Sequence, residues 1–186
     1  VVVDGVAVTC DAVVFFFETL IASTSVELLG TADLPTPALI TLPSAAVLVS
    51  NFGEFYPDLE AFEGMLVEFA GPLVVTDLFN LDRFGEMHLY AGGRPQQFTN
   101  INAPDAVALD AYLRDLGSRS IMLDDGLTVQ NPDPIRYPPP GLPNTTGAIV
   151  RSGDTVTGLV GNIRYRRGSG GSGEELYRHM PTGEPA

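Results

Sequence analysis

Residues 63–90 read EGMLVEFAGPLVVTDLFNLDRFGEMHLY, and the period of their apolar positions decides the fold class. Met65, Val67 and Phe69 alternate with Leu66 and Glu68, the two-residue period of a strand with one face inward. Gly71-Pro72 breaks the run, and Leu73, Val74 and Val75 follow as a short apolar run that suits a strand buried on both faces. Asn80 to Gly85 is polar and can turn. Glu86 to Tyr90 alternates again, with Met87 and Leu89 on one face and Glu86, His88 and Tyr90 on the other. Three strands in a row, paired as an antiparallel meander, leave sheet edges exposed, and closure into a small barrel removes them. The expectation is an all-β fold.

Downstream, Pro104 to Gly117 is the one strong helix signal. Leu109, Tyr112, Leu113 and Leu116 share a face at helical spacing, Pro104 and Asp105 suit the first turn, and Gly117 suits the C-terminal cap. Ser120 to Leu123 reads as a strand running into the turn Asp124-Asp125-Gly126. Residues 127–144 hold six prolines, which marks a long surface loop with restricted backbone. Thr155 to Arg166 reads as a long strand interrupted at Gly158 and Gly161, positions of a bulge or bend. Glu174 to Met180 is a last strand, joined to it through the flexible tip Gly168–Gly173.

Upstream, Asp33 to Pro43 carries three prolines and reads as an extended linker. Ser44 to Ser50 fits a helical turn or a strand equally. The aromatics of Asn51 to Phe62 are placed to pack on the barrel from outside. Val1–Thr9, Val13–Phe17, Thr19–Ala22 and Ser25–Leu29 read as strands that complete or extend a β domain, or are lent to a neighbouring copy. Val1 to Ile21 is interrupted by Asp4, Asp11 and Glu18 and lacks a basic leader, so it is read neither as a signal peptide nor as a membrane span. Without an initiator Met, the chain is expected to be a piece of something longer.

The 186 residues carry a net charge of −13, and all ten basic residues are Arg. Such a surface repels phosphate backbones at long range. Without Lys, a phosphate-binding loop of the G-x-x-x-x-G-K type is impossible. Ser152-Gly153-Asp154 has no His nearby and no G-x-S-x-G turn occurs, which points away from a serine hydrolase. The single Cys10 allows no internal disulfide and suits a small apolar site.

Six motifs occur in a telling order: Glu63-Gly64-Met65-Leu66-Val67; Val75-Thr76-Asp77 with Asn80-Leu81 and Gly85-Glu86; Leu123-Asp124-Asp125-Gly126; Gln130-Asn131-Pro132-Asp133-Pro134-Ile135; Gly153 to Leu159; and Tyr177-Arg178 with Met180-Pro181-Thr182. Together they resemble the non-catalytic region of large secreted bacterial nucleases, over roughly Ser25 to Ala186. The resemblance implies an OB-like β region preceding a metal-dependent endonuclease/exonuclease/phosphatase-type domain, hence an extracellular protein. The catalytic domain would lie beyond Ala186, with its divalent metal, and would be this chain's partner. The expected organisation is then 1–32 as extra strands, 33–62 as Pro-rich linker and packing segment, and 63–186 as the OB-like barrel with helix 104–117.

OB-folds hold single strands in a basic groove with stacking aromatics. The matching residues are Arg164, Tyr165, Arg166 and Arg167, with Arg151 expected on a neighbouring strand. The alternative is a solvated hairpin whose arginines pair with Glu174 and Glu175. Asp124, Asp125, Asn131 and Asp133 could supply oxygens to Ca²⁺, though not at EF-hand spacing, and the same residues are ordinary turn formers. No cofactor is expected otherwise. Candidate partners are the catalytic domain, single-stranded or duplex DNA, and further copies meeting through the N-terminal strands.

Overall fold

The computed structural model describes residues 2–3, 6–10, 26–31, 35–127, 129–132, 135, 150–168 and 174–182. The chain divides into two compact units, Val1–Thr36 and Pro37–Ala186. In the first, β1 (Val2–Val3), β2 (Val6–Cys10) and β3 (Val26–Thr31) form a three-stranded antiparallel sheet in that order. Val2 pairs with Ala7 and Val3 with Val6, so the single strand expected over Val1–Thr9 is instead two antiparallel strands. The Asp4-Gly5 dipeptide between them is a strong short-range hairpin signal. The strands expected at Val13–Phe17 and Thr19–Ala22 lie outside the described residues.

The second unit contains β4 (Ala38–Ile40), β5 (Val47–Val49), β6 (Phe55–Pro57), β7 (Leu66–Phe69) and β8 (Leu73–Asp77). There follow α1 (Leu81–Phe84), β9 (Glu86–Ala91), α2 (Phe98–Ile101), α3 (Ala106–Ser118) and β10 (Ser120–Asp124). Last come β11 (Thr155–Val156), β12 (Val160–Arg167) and β13 (Glu175–Pro181). Eight strands make one sheet in the order β11-β8-β9-β10-β13-β12-β7-β4, and β5 and β6 form a separate hairpin. Within the stretch read as linker and packing segment, Ala38–Ile40 is thus the sheet's edge strand.

Chain connectivity shows why the sheet is curled. Phe69 ends β7 and Leu73 begins β8, so three residues, at most about 14 Å of chain over four Cα–Cα steps, separate them. In strand order the two lie five places apart, about 24 Å in a flat sheet. The sheet must bend until its ends approach, and it forms a half-barrel. Ile40, Phe69, Leu73 and Ala91 line an open cleft of about 190 Å³ at that corner. The simple meander expected from 63–90 is therefore corrected. β8 and β9 pair, but Gly71-Pro72 carries the chain across the opening and β7 pairs with β12 and β4 instead. Two pairs, β10/β13 and β4/β7, are parallel, which corrects the all-antiparallel expectation. Among the described residues no ladder closes the barrel.

The core lies on one face of this curl. Val67, Val75, Leu89, Ile121, Leu123 and Ile163 are almost wholly buried there. From the aromatic segment Tyr56 and Leu59 join them, while Phe52 stays outside. The long strand expected over 155–166 splits at Gly158, which has φ +66°, and β11 and β12 go to distant places in the sheet. Helix α3 starts where expected, with the Asp105 carboxylate accepting from Ala108 N at 2.8 Å. Gly117, expected as its cap, is instead inside the helix. A Cβ there would stand 2.4 Å from Cβ of Phe55, so the glycine serves close packing. Among the described residues no helix is long and apolar enough to cross a membrane.

Candidate functional site

Residues from three of the six motifs meet on the face of the sheet opposite the core. Strand alternation sends Met87, Leu123 and His179 inward, so Glu86 of β9, Asp124 of β10 and Arg178 of β13 point the other way. Glu86 and Asp124 are ladder partners, and β13 runs alongside β10. Arg178 Nη1 lies 3.0 Å from Glu86 Oε1 and 3.2 Å from Asp124 Oδ2. Its Nε donates to the Arg166 carbonyl at 3.4 Å. Glu86 Oε2 accepts from Asn80 Nδ2 at 3.1 Å, and Asp124 Oδ1 from Gly126 N at 2.7 Å. Exposure is 2% for Arg178, 2% for Glu86 and 0% for Asp124, so three strands are tied by a cluster no substrate can touch. Charges buried this way depend on one another, because none is solvated alone.

The loop after β10 is built onto the same cluster. Gly85 takes φ +69° to end α1, and a Cβ on it would stand 2.2 Å from Asp125 Oδ2. Asp125 is itself buried, with Oδ1 accepting from Leu127 N at 2.8 Å. Asn131 N donates to the Arg83 carbonyl at 2.8 Å. The Gln130 side-chain oxygen, oriented to satisfy both groups, accepts from Arg83 Nε and Nη2 at 2.8 and 3.0 Å. On the adjoining strand Gly153 N donates to Val75 O at 2.7 Å, and Val75 N to Asp154 O at 2.9 Å.

The expected calcium ligands are accounted for differently. Asp124 is committed to Arg178 and Gly126, and Asp125 to the Leu127 amide. Asn131 uses its backbone on Arg83, and Asp133 lies outside the described residues. Among the described residues no group of three His, Cys, Asp or Glu side chains is placed to hold a metal.

The basic strip is divided. Along β12, Arg164 and Arg166 point to the face opposite the buried Ile163, while Tyr165 and Arg167 share the face of Ile163. Tyr165 packs into a cluster with Tyr177, centroids 5.2 Å apart, and Tyr56, at 6.3 Å. Tyr177 Oη donates to Glu60 Oε2. Burial first, and this hydrogen bond second, push the Tyr177 pKa up. Arg167 Nη2 pairs with Glu175 at 2.6 Å, as the solvated-hairpin alternative anticipates. Arg151 does not sit beside β12. It precedes β11, at the other end of the strand order, with its amide on Asp154 Oδ2 at 2.7 Å.

Sequence reading did not pair Arg178 with Glu86 and Asp124. The available signal was a charged residue on the non-core face of each of three strands, which in a sheet must face water or one another. No protein-family model matches the chain, and neither the curated proteins nor the solved structures give a match.

Proposed function

We propose that this chain is a non-catalytic, OB-like module of a secreted nuclease, and that it positions the downstream catalytic domain or its nucleic acid. The observation that carries the reading is the contact among residues of four of the six motifs. Glu86 meets Arg178 and Asn80, Asp124 meets Arg178, Gly85 makes room for Asp125, and Gly153 bonds Val75. Arg164 and Arg166 on the non-core face of β12 form the surface offered to single-stranded or duplex DNA, acting through charge rather than stacking, since Tyr165 is turned away.

The test is a pair of measurements. Immobilised chain should retain single-stranded DNA at low salt and release it as salt rises, and Arg164→Ala, Arg166→Ala and Arg167→Ala together should remove the retention. Deleting this module from the longer protein should lower its nuclease activity. Cleavage of DNA by this chain alone would overturn the proposal.

A second reading is favoured by β3. This six-residue strand forms an edge of the N-terminal sheet and pairs on one side only among the described residues. Such an edge accepts another strand, so a structural or assembly role by strand addition between copies follows. Concentration-dependent polymers that vanish on deletion of Val1 to Ala22 would favour it over the first.

A further inference from the structure

His179 lies in the middle of β13 on the core face and is fully buried. Its ladder partners are Leu123 on β10 and Ile163 on β12, and the Phe69 ring of β7 meets it edge-on with centroids 5.3 Å apart. Neither Nδ1 nor Nε2 has a hydrogen-bond partner. The titratable groups sharing this face are Glu175 and Tyr177 along β13 and Tyr165 and Arg167 on β12. β10 presents Ile121 and Leu123, and β7 presents Val67 and Phe69. Arg178, next in sequence, is on the opposite face and committed to Glu86 and Asp124. A neutral imidazole tolerates such a site at some cost, but an imidazolium without a partner there is far more costly.

We infer that His179 makes the sheet acid-labile: a proton on its ring is accommodated only in water, so as pH falls the fold loses stability at β13, the strand that also carries the Arg178 link. This acid lability does not depend on which partner the module serves.

Burial holds the His179 pKa down at about 4, against an ordinary 6.5. The unfolded chain therefore takes up a proton that the folded chain refuses. Stability is complete above about pH 6.5 and is lost as pH falls toward about 4, by up to about tenfold in the folded-to-unfolded ratio per pH unit. His88 on β9 is also held at about 4, by burial first, with Asp77 opposing and Arg178 reinforcing, so the two histidines must be separated.

Urea midpoints should be compared for the wild-type chain, His88→Gln, His179→Leu and His179→Gln between about pH 7 and pH 5, the range in which free histidine titrates. Both position-179 variants should lose one histidine's share of the acid slope, about tenfold per pH unit, whatever their stability at neutral pH, while His88→Gln keeps that share. His179 ring signals in the native protein should stay unshifted over the same range. The inference is overturned if both 179 variants follow the wild-type slope, or if the native ring titrates near its ordinary value. The ring signals decide the matter if neither variant folds.

Discussion

Strands β12 and β13 are neighbours in one sheet and both carry arginine, yet the arginines do opposite work. Arg164 on β12 is exposed and Arg167 holds a solvent-facing pair with Glu175, whereas Arg178 on β13 is 2% exposed between two carboxylates. The residue type and the strand period are the same. The difference lies in what the adjoining strand supplies, since β13 is flanked by β10 with Asp124 and one strand further by Glu86, while β12 borders the short β7 near the sheet's edge. A charge is structural where acidic side chains converge on it out of water, and available where they do not.

The largest effect should come from breaking the buried cluster. Arg178→Ala leaves Glu86 and Asp124 facing each other without a cation, and should destabilise the second unit by about 3–5 kcal/mol, read as a lower urea midpoint. A loss under about 1 kcal/mol would erase the contrast with β12. Next, Gly85→Ala should cost about 1–3 kcal/mol, because the residue combines a left-handed backbone with the close approach of Asp125.

Tyr177→Phe removes the donor to Glu60 and should cost about 1.5–3 kcal/mol, less if the site repacks. The same substitution sharpens the comparison at high pH. The Tyr177 pKa is raised in the fold, so its contribution is intact below about pH 10 and is lost as pH climbs, by up to about 1.4 kcal/mol per unit. The phenylalanine variant should show a correspondingly shallower alkaline decline in thermal melts. Tyr90, pushed up to about 12 by burial first, would keep part of that decline in place.

The smallest effects belong to β12. Arg167→Ala should change stability by less than about 1 kcal/mol, since its pair is half exposed. Arg164→Ala with Arg166→Ala should change it by about 0.5 kcal/mol or less while reducing retention of single-stranded DNA and its salt slope. Unchanged retention would remove nucleic acid from the proposed function.

Local rules explain much of what was legible. The two-residue period announced β7, β9 and β13, Asp105 announced the start of α3, and Gly158 announced a break, because each depends on neighbours within a few residues. Pairing partners were not legible. Nothing within 63–90 says that Gly71-Pro72 crosses an opening rather than turning a hairpin, because both need the same non-donating bend. Gly117 carried the signal of a cap and proved to be a contact with Phe55, sixty-two residues earlier in the chain.

The amino-acid order by itself determined that this protein is built of strands, which side chains of β7 and β9 turn inward, and that its surface is strongly acidic. Only the tertiary structure decided that β10 and β13 run parallel, that the sheet curls through a half-barrel, and that Arg178 is withdrawn from solvent while Arg164 is not. The physical reason is one of range. Alternation is a property of a single strand, but the environment of a charge is set by strands far away in sequence, and those come together only when the apolar faces are buried.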